Sequence, residues 1–313
     1  MRHGAAAVWA LSDGRAGNRR QSEALAHALD AGAVTALTLA PRAPWRWLAP
    51  RRAPGDVRGF GAEFAARLAD PPRLAVGCGR QAALATRLAR ERGARVVQIL
   101  DPRLPPSHWD LVVAPEHDAL RGANVLPVLG SLHPVDDAWL ARARADFPAL
   151  AALPGPRTAL LLGGDSAHYR FDRARFDALA EALPRDGSLL VTTSRRTPAD
   201  VVAAARGLVA RVGGLFWANA DDGPNPYPGL LAWADRIACT PDSVNMLSEA
   251  CATRVPVQVF APDAVRGRVR GFLDALQARG RVGVLGDAWP AGPATPLRET
   301  ARVAAEIRAR LGL

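Results

Sequence analysis

Short apolar runs recur along this chain, and each of the clearest gives way to a polar, glycine-rich segment that leads into a helical pattern. VWALSDGRAGN, LAVGCGRQ, VVQILDPR and LVVAPEHD occupy the first half, and TALLLGGDSAHYR, LLVTTSRRT and IACTPDSVNMLSEA the second. Apolar runs bounded by turn residues read as strands buried on both faces. The first half predicts strands near residues 6–11, 33–39, 73–77, 95–100, 110–114 and 124–128, with helices near 18–30, 60–69 and 80–92. The second predicts strands near 158–162, 188–193, 213–217, 236–240, 256–260 and 282–285, with helices near 172–183, 198–210, 243–253 and 267–279. A last amphipathic helix over about 297–311 carries Leu297, Val303, Ile307 and Leu311 on one stripe.

Strands alternating with helices imply parallel, doubly wound sheets. The expected class is α/β, with two Rossmann-like domains facing across a cleft. The segment Phe147–Arg157, FPALAALPGPR, is rich in proline and reads as the linker. It divides the chain into residues 1–150 and 151–313, with the last helix free to pack back on the first domain. Ligands of such sheets bind outside the carboxyl ends of the strands, where the glycine-rich loops fall.

Composition narrows the chemistry. The chain has 313 residues, enough for two domains. Its formal charge of +10 rests on forty basic residues, all of them arginine. They are scattered among acids, which argues against a nucleic-acid binder and leaves a positive field for anionic ligands or lipid. The lack of lysine excludes a Walker loop, a pyridoxal-phosphate Schiff base and a protein-kinase site. Three cysteines without a C-x-x-C and six dispersed histidines without H-E-x-x-H point to no metal and no cofactor. The N-terminal apolar stretch is short for a signal peptide, and no run suits a membrane span. The expected location is the cytoplasm, with peripheral contact at the inner face of an anionic membrane left open.

Candidate residues cluster in the loops. In Ser12–Asn18, Gly14 and Gly17 let the backbone approach a ligand, and Asn18 with Gln21 fits a capping box that starts the helix. A G-x-G-x-x-G fingerprint is absent, and a plain β–α turn is the alternative. Gly163, Gly164 and Ser166 follow a buried strand and suit an anion, as do Thr193, Ser194 and Arg195 after the next one. A solvated pair of Arg195 and Arg196 is the alternative.

Thr240 closes a strand, and Asp242 or Ser243 can cap the helix that follows. Asp242, Asn245 and Glu249 form one polar stripe on that helix, opposite Val244, Leu247 and Cys251. The helix start offers amides to a phosphate, and Glu249 could accept hydrogen bonds from ribose hydroxyls. Asp242 competes with a phosphate for the same amides, and a solvated helix face is the alternative. Asp13, or His117 in Glu116-His117-Asp118, is the candidate general base. Between residues 41 and 60, Trp45, Arg46 and Trp47 sit in a cluster of arginines that suits an anionic bilayer interface or, alternatively, a proline-rich surface loop.

Taken in order, WALSDGRAGN, VGCGRQ, VQILDPR, VVAPEHD, LLGGDSAHYR, VTTSRRTP and TPDSVNMLSEA resemble the bacterial branch of the elongated-mitochondria (mitochondrial fission Elm-like) family over essentially the whole chain. The same features are similar to GT-B glycosyltransferases, among them the N-acetylglucosaminyltransferase of the lipid-linked peptidoglycan precursor. That resemblance implies that Gly163-Gly164-Asp165-Ser166 contacts a donor diphosphate and that Glu249 binds the ribose. Asp242 departs from the pattern. The leading expectation is a metal-independent glycosyltransferase with a nucleotide-diphosphate sugar donor and an envelope or lipid-linked glycan acceptor. A nucleotide-sugar epimerase and a non-catalytic adaptor are the alternatives.

Overall fold

The computed structural model describes residues 8–30, 32 and 34–313. The parts of the first two predicted strands at 6–7 and 33 lie outside the described residues. The chain begins β1 (Val8–Ser12), α1 (Ala16–Leu29), β2 (Val34–Thr38), then three short helices, α2 (Trp45–Leu48), α3 (Asp56–Gly59) and α4 (Ala62–Arg67). It continues β3 (Leu74–Cys78), α5 (Arg80–Glu91), β4 (Arg95–Ile99), β5 (Leu111–Pro115), β6 (Val125–Val128), α6 (Asp137–Asp146), β7 (Arg157–Leu162), α7 (Arg173–Ala182) and β8 (Ser188–Thr193). Then come α8 (Ala199–Val212), β9 (Gly214–Trp217), α9 (Tyr227–Trp233), β10 (Arg236–Cys239), α10 (Val244–Cys251) and β11 (Val257–Val259). The last elements are α11 (Arg268–Ala278), β12 (Val282–Val284) and α12 (Glu299–Leu311).

Two wholly parallel sheets result, with orders β2-β1-β3-β4-β5-β6 and β12-β11-β10-β7-β8-β9. This is the α/β, doubly wound class read from the sequence. Burial on both faces explains the continuous apolar runs. On β1, Trp9 and Leu11 pack with Leu84 and Leu88 of α5, whereas Val8 and Ala10 pack with Leu25 of α1. Alternate residues of one strand thus serve two cores.

The compact units are residues 8–134 together with Arg298–Leu313, and Val135–Leu297. The division therefore falls at Pro134, earlier than residue 150, and α6 joins the second unit. The proline-rich segment 147–157 is not a free linker. Leu150 is buried, and a Cβ added at Gly229 of α9 would lie 2.7 Å from Phe147, so the segment packs inside the second unit. Helix α12 completes the first unit. Val303, Ala304 and Ile307 join its core, and Thr300 Oγ donates to the carbonyl of His133 at 2.8 Å.

Strand order reverses once in each sheet, between β1 and β3 and between β7 and β10. At such a point the two adjacent loops leave in opposite directions and open a crevice at the carboxyl ends. These two places bring together loops that are distant in sequence.

Candidate functional site

In the second unit the loop after β7 meets the loop after β10. Gly163 N–H donates to Thr240 Oγ1 at 2.7 Å, and Gly164 N–H donates to Asp242 Oδ2 at 3.1 Å. Thr240 Oγ1 donates to Asp242 Oδ1 at 2.7 Å, and Arg196 reaches Asp242 Oδ2 at 2.6 Å. The side chain of Asp242 is fully buried. A Cβ at Gly163 would fall 2.1 Å from Asp242 Oδ1, and one at Gly164 would fall 2.1 Å from the Arg196 carbonyl. The paired glycines do admit an anion, but it is the chain's own carboxylate. The expected use of their amides for an external phosphate is corrected to that extent: both amides already have partners.

The neighbouring residues divide between internal and available groups. Ser166 Oγ accepts from His168 N–H at 3.2 Å, and Asp165 accepts from Phe171 N–H at 2.7 Å, which folds the GGDS segment into a closed turn. Thr193 is buried, and Ser194 Oγ accepts from Arg196 N–H at 3.2 Å. Arg196 is not a solvated partner of Arg195. Its guanidinium also donates to the carbonyls of Gly164 at 3.1 Å and Asp165 at 2.8 Å. Arg195 is exposed and forms no ion pair with a described residue.

Helix α10 starts at this place. Ser243 is its N-cap, accepting from Met246 N–H at 3.4 Å, and Asn245 is half-buried in the first turn. Glu249 is not on a solvated face. It is 1% exposed, and one carboxylate oxygen accepts from the Tyr227 hydroxyl of α9 at 2.5 Å. Arg281 lies at the other end of α10 and donates to the carbonyls of Cys251 at 3.0 Å, Ala250 at 3.3 Å and Thr253 at 3.0 Å. A cation there satisfies the orphan carbonyls and complements the helix dipole.

In the first unit the β1–β3 reversal gathers Asp13, Asn18, Cys78 and Gly79. Asp13 Oδ1 accepts from Arg15 N–H at 3.1 Å and from the Asn18 amide at 3.0 Å, and its side chain is 15% exposed. The capping box is absent. Helix α1 starts at Ala16 with no side-chain cap, because Asn18 turns back to Asp13. Gly14 takes φ +77° beside Thr38, while Gly17 lies within the first turn of α1. His117 is placed elsewhere. Its loop follows β5, three strands from β1, or about 14 Å along the sheet. That loop is fastened by Arg121, which donates to the carbonyls of Asp118 at 2.6 Å and Glu116 at 3.0 Å.

The tryptophans of α2 behave differently from each other. Trp45 packs on its own unit, with its ring against Gly59 and its Nε1–H donating to the Pro54 carbonyl at 3.0 Å. Trp47 is 64% exposed, and the Arg46 guanidinium lies 5.9 Å from its ring centre.

Three residues of this arrangement were not singled out from the sequence: Arg196 as a clamp, Thr197, whose hydroxyl bonds the Gly163 carbonyl, and Tyr227. Only Arg196 carried a signal, as the second basic residue after a strand. A groove of about 640 Å³ is lined by the flanks of α7 and α8 and by no strand-end loop. Among the described residues no cluster of His, Cys, Asp or Glu is placed to hold a metal ion, and no helix is long and apolar enough to cross a membrane.

Comparisons with known proteins agree with this architecture. The rice protein Os79, solved with UDP, superposes with a TM-score of 0.54 at 14% identity, over 97% of this chain and 91% of its own. The UDP-GlcNAc 2-epimerase of Neisseria meningitidis gives 0.52 at 12% identity, over 97% and 99%. MurG of Acinetobacter baumannii gives 0.50 at 14%, over 97% and 91%. At these identities the likeness establishes the GT-B fold. In sequence, the mitochondrial fission protein ELM1 of Arabidopsis thaliana is 31% identical over 284 residues, covering 77% of this chain and 64% of the plant protein. The family described as mitochondrial fission ELM1 matches residues 16–311. With the match running nearly end to end, the chain belongs to the mitochondrial fission ELM1 family.

Proposed function

We propose that the second unit binds a nucleotide-diphosphate sugar and that the chain is a metal-independent glycosyltransferase. The observation that carries this reading is the meeting of the GGDS loop with the tip of α10 at the β7–β10 reversal. Ser243, Asn245 and the first amides of α10 take the diphosphate, assisted by Arg195, in place of the occupied Gly163 and Gly164 amides. Glu249, 1% exposed and bonded to Tyr227, is closed to a ligand as it stands, so in this reading it meets the ribose hydroxyls only if binding opens the α9–α10 contact. In the transfer, the acceptor oxygen forms a bond to the anomeric carbon as the bond to the diphosphate breaks. Asp13 accepts the hydroxyl proton, and the helix dipole with Arg195 offsets the charge on the leaving nucleoside diphosphate. Asp13 is preferred over His117 because it stands at a strand-order reversal. An envelope or lipid-linked glycan is the acceptor in this reading, and the cytoplasm its location. Solved neighbours of the same fold hold UDP or UDP-GlcNAc, which supports a nucleotide ligand.

One observation favours a second reading, a non-catalytic adaptor that retains the fold. Asp242 takes the Gly164 amide and Thr240 takes the Gly163 amide, so neither is open to a diphosphate. A thermal-shift panel of nucleoside diphosphates separates the two. A nucleotide present at about one hundred times its dissociation constant stabilises the chain by about 2.7 kcal/mol. No shift with any member of the panel favours the adaptor.

A further inference from the structure

The excursion between β2 and β3 carries an apolar tip flanked by exposed arginines. Among the described residues, the exposed large hydrophobic side chains are Trp47, Leu48 and Val212, and two of the three are adjacent on α2. Arg42, Arg46, Arg51 and Arg58 are exposed on the same excursion and have no acidic partner among the described residues. Its one buried acid, Asp56, is engaged by Arg52. Within residues 41–60 the exposed charge is therefore of one sign; the exposed acids of the excursion, Glu63 and Asp70, lie further along, and Glu63 is paired with Arg67.

This tip is held in place by the rest of its unit. Trp45 is wedged over Gly59 and bonded to Pro54. From α5, Arg80 donates to the Arg46 carbonyl at 3.1 Å, and Arg87 donates to the Pro50 carbonyl at 2.8 Å. Exposing Trp47 and Leu48 on a braced scaffold has no internal use, because neither side chain fills the core.

We propose that α2 is an interfacial anchor for an anionic lipid bilayer, with Trp47 and Leu48 entering the headgroup boundary and Arg42, Arg46, Arg51 and Arg58 meeting lipid phosphates. Two apolar side chains are a small part of the roughly 800 Å² that each partner buries in a stable protein interface. They suffice for a shallow membrane contact when basic residues add to it. The proposal does not depend on nucleotide binding by the second unit.

The test is co-sedimentation of the full chain with vesicles of phosphatidylcholine alone, or of phosphatidylcholine mixed with phosphatidylglycerol. Binding to the mixed vesicles only, weakened by salt, is expected. Each Arg→Gln substitution at 42, 46, 51 or 58 lowers the partition coefficient by about fivefold. Trp47→Ser lowers it by about tenfold or more, with an unchanged melting temperature because the side chain is exposed. Equal binding to both vesicle types, no binding to either, or mixed-vesicle binding unaffected by Trp47→Ser overturns the proposal. Self-association that disappears in Trp47→Ser, without vesicle binding, also overturns it and assigns the face to a second copy of the chain.

Discussion

Asp242 holds the amide of Gly164 across the β7–β10 reversal at 3.1 Å, so the glycine-rich loop and the tip of α10 are joined by a buried carboxylate. Thr240 and Arg196 donate to the same group. Asp242→Ala leaves these donors without their acceptor, and a buried polar group so stranded costs about 1–3 kcal/mol. The expected loss is about 2–4 kcal/mol in denaturant unfolding, since Arg196 recovers part of its solvation. Asp242→Asn keeps the shape and one acceptor oxygen, and the expected loss is smaller.

Gly164 is needed for a steric reason. A Cβ there would lie 2.1 Å from the Arg196 carbonyl oxygen and 2.3 Å from its carbon, and backbone atoms cannot swing aside. Gly164→Ala should lower stability by about 2–3 kcal/mol, within the range for overpacking. The loss should appear as a lower denaturation midpoint. A neutral result would mean that the two loops separate without cost.

How far these elements could be read from the residues alone varied with the source of the signal. Strands such as β3 and β8 are buried along their whole length, so an apolar run bounded by turns identified them. Helix α6 escaped because only Leu140 and Ala143 of its arginine- and aspartate-rich surface are buried. Helix α9 escaped because Pro228 and Gly229 read as breakers. Pro228 lies in the first turn, where a missing N–H costs nothing, and Gly229 permits close approach to Phe147. The site was read in part. The Gly163–Gly164 pair marks a close backbone approach, but nothing in a linear pattern says that Asp242, far along the chain, supplies the anion. Tyr227 was invisible for the same reason, since its partnership with Glu249 is made only by packing α9 on α10.

Arg281 secures the far end of α10 from a buried position. Its guanidinium serves carbonyls of Ala250, Cys251 and Thr253, and also that of Val255 at 3.2 Å. Arg281→Met keeps the apolar stem and removes every donor, which should cost about 2–4 kcal/mol in the same unfolding assay. Arg281→Lys should recover part of the loss, because an ammonium cannot span several carbonyls as the planar fork does.

Cys78, Cys239 and Cys251 are all buried. Burial pushes the Cys251 thiol from 9.0 up to about 11, with the charge of Arg281 pulling the other way, and it raises Cys78 and Cys239 as well. The fold therefore favours the neutral thiols. Their contribution to stability is intact below the ordinary thiol value and is lost as pH rises through the folded values, for Cys251 between 9.0 and about 11. At pH 8, Ellman's reagent should label no native thiol promptly and all three after unfolding. Prompt labelling of the native chain would show that one of these side chains is open to solvent.

The most direct measurement is a calorimetric titration of the full chain with UDP, GDP, ADP and dTDP, repeated on Arg195→Gln, whose exposed side chain makes no ion pair with a described residue that the substitution could break. Saturable binding of one nucleotide, weakened by about tenfold in Arg195→Gln as loss of a charge-assisted phosphate contact requires, is the predicted result. No heat with any of the four, or binding indifferent to Arg195, would contradict a diphosphate site at the tip of α10.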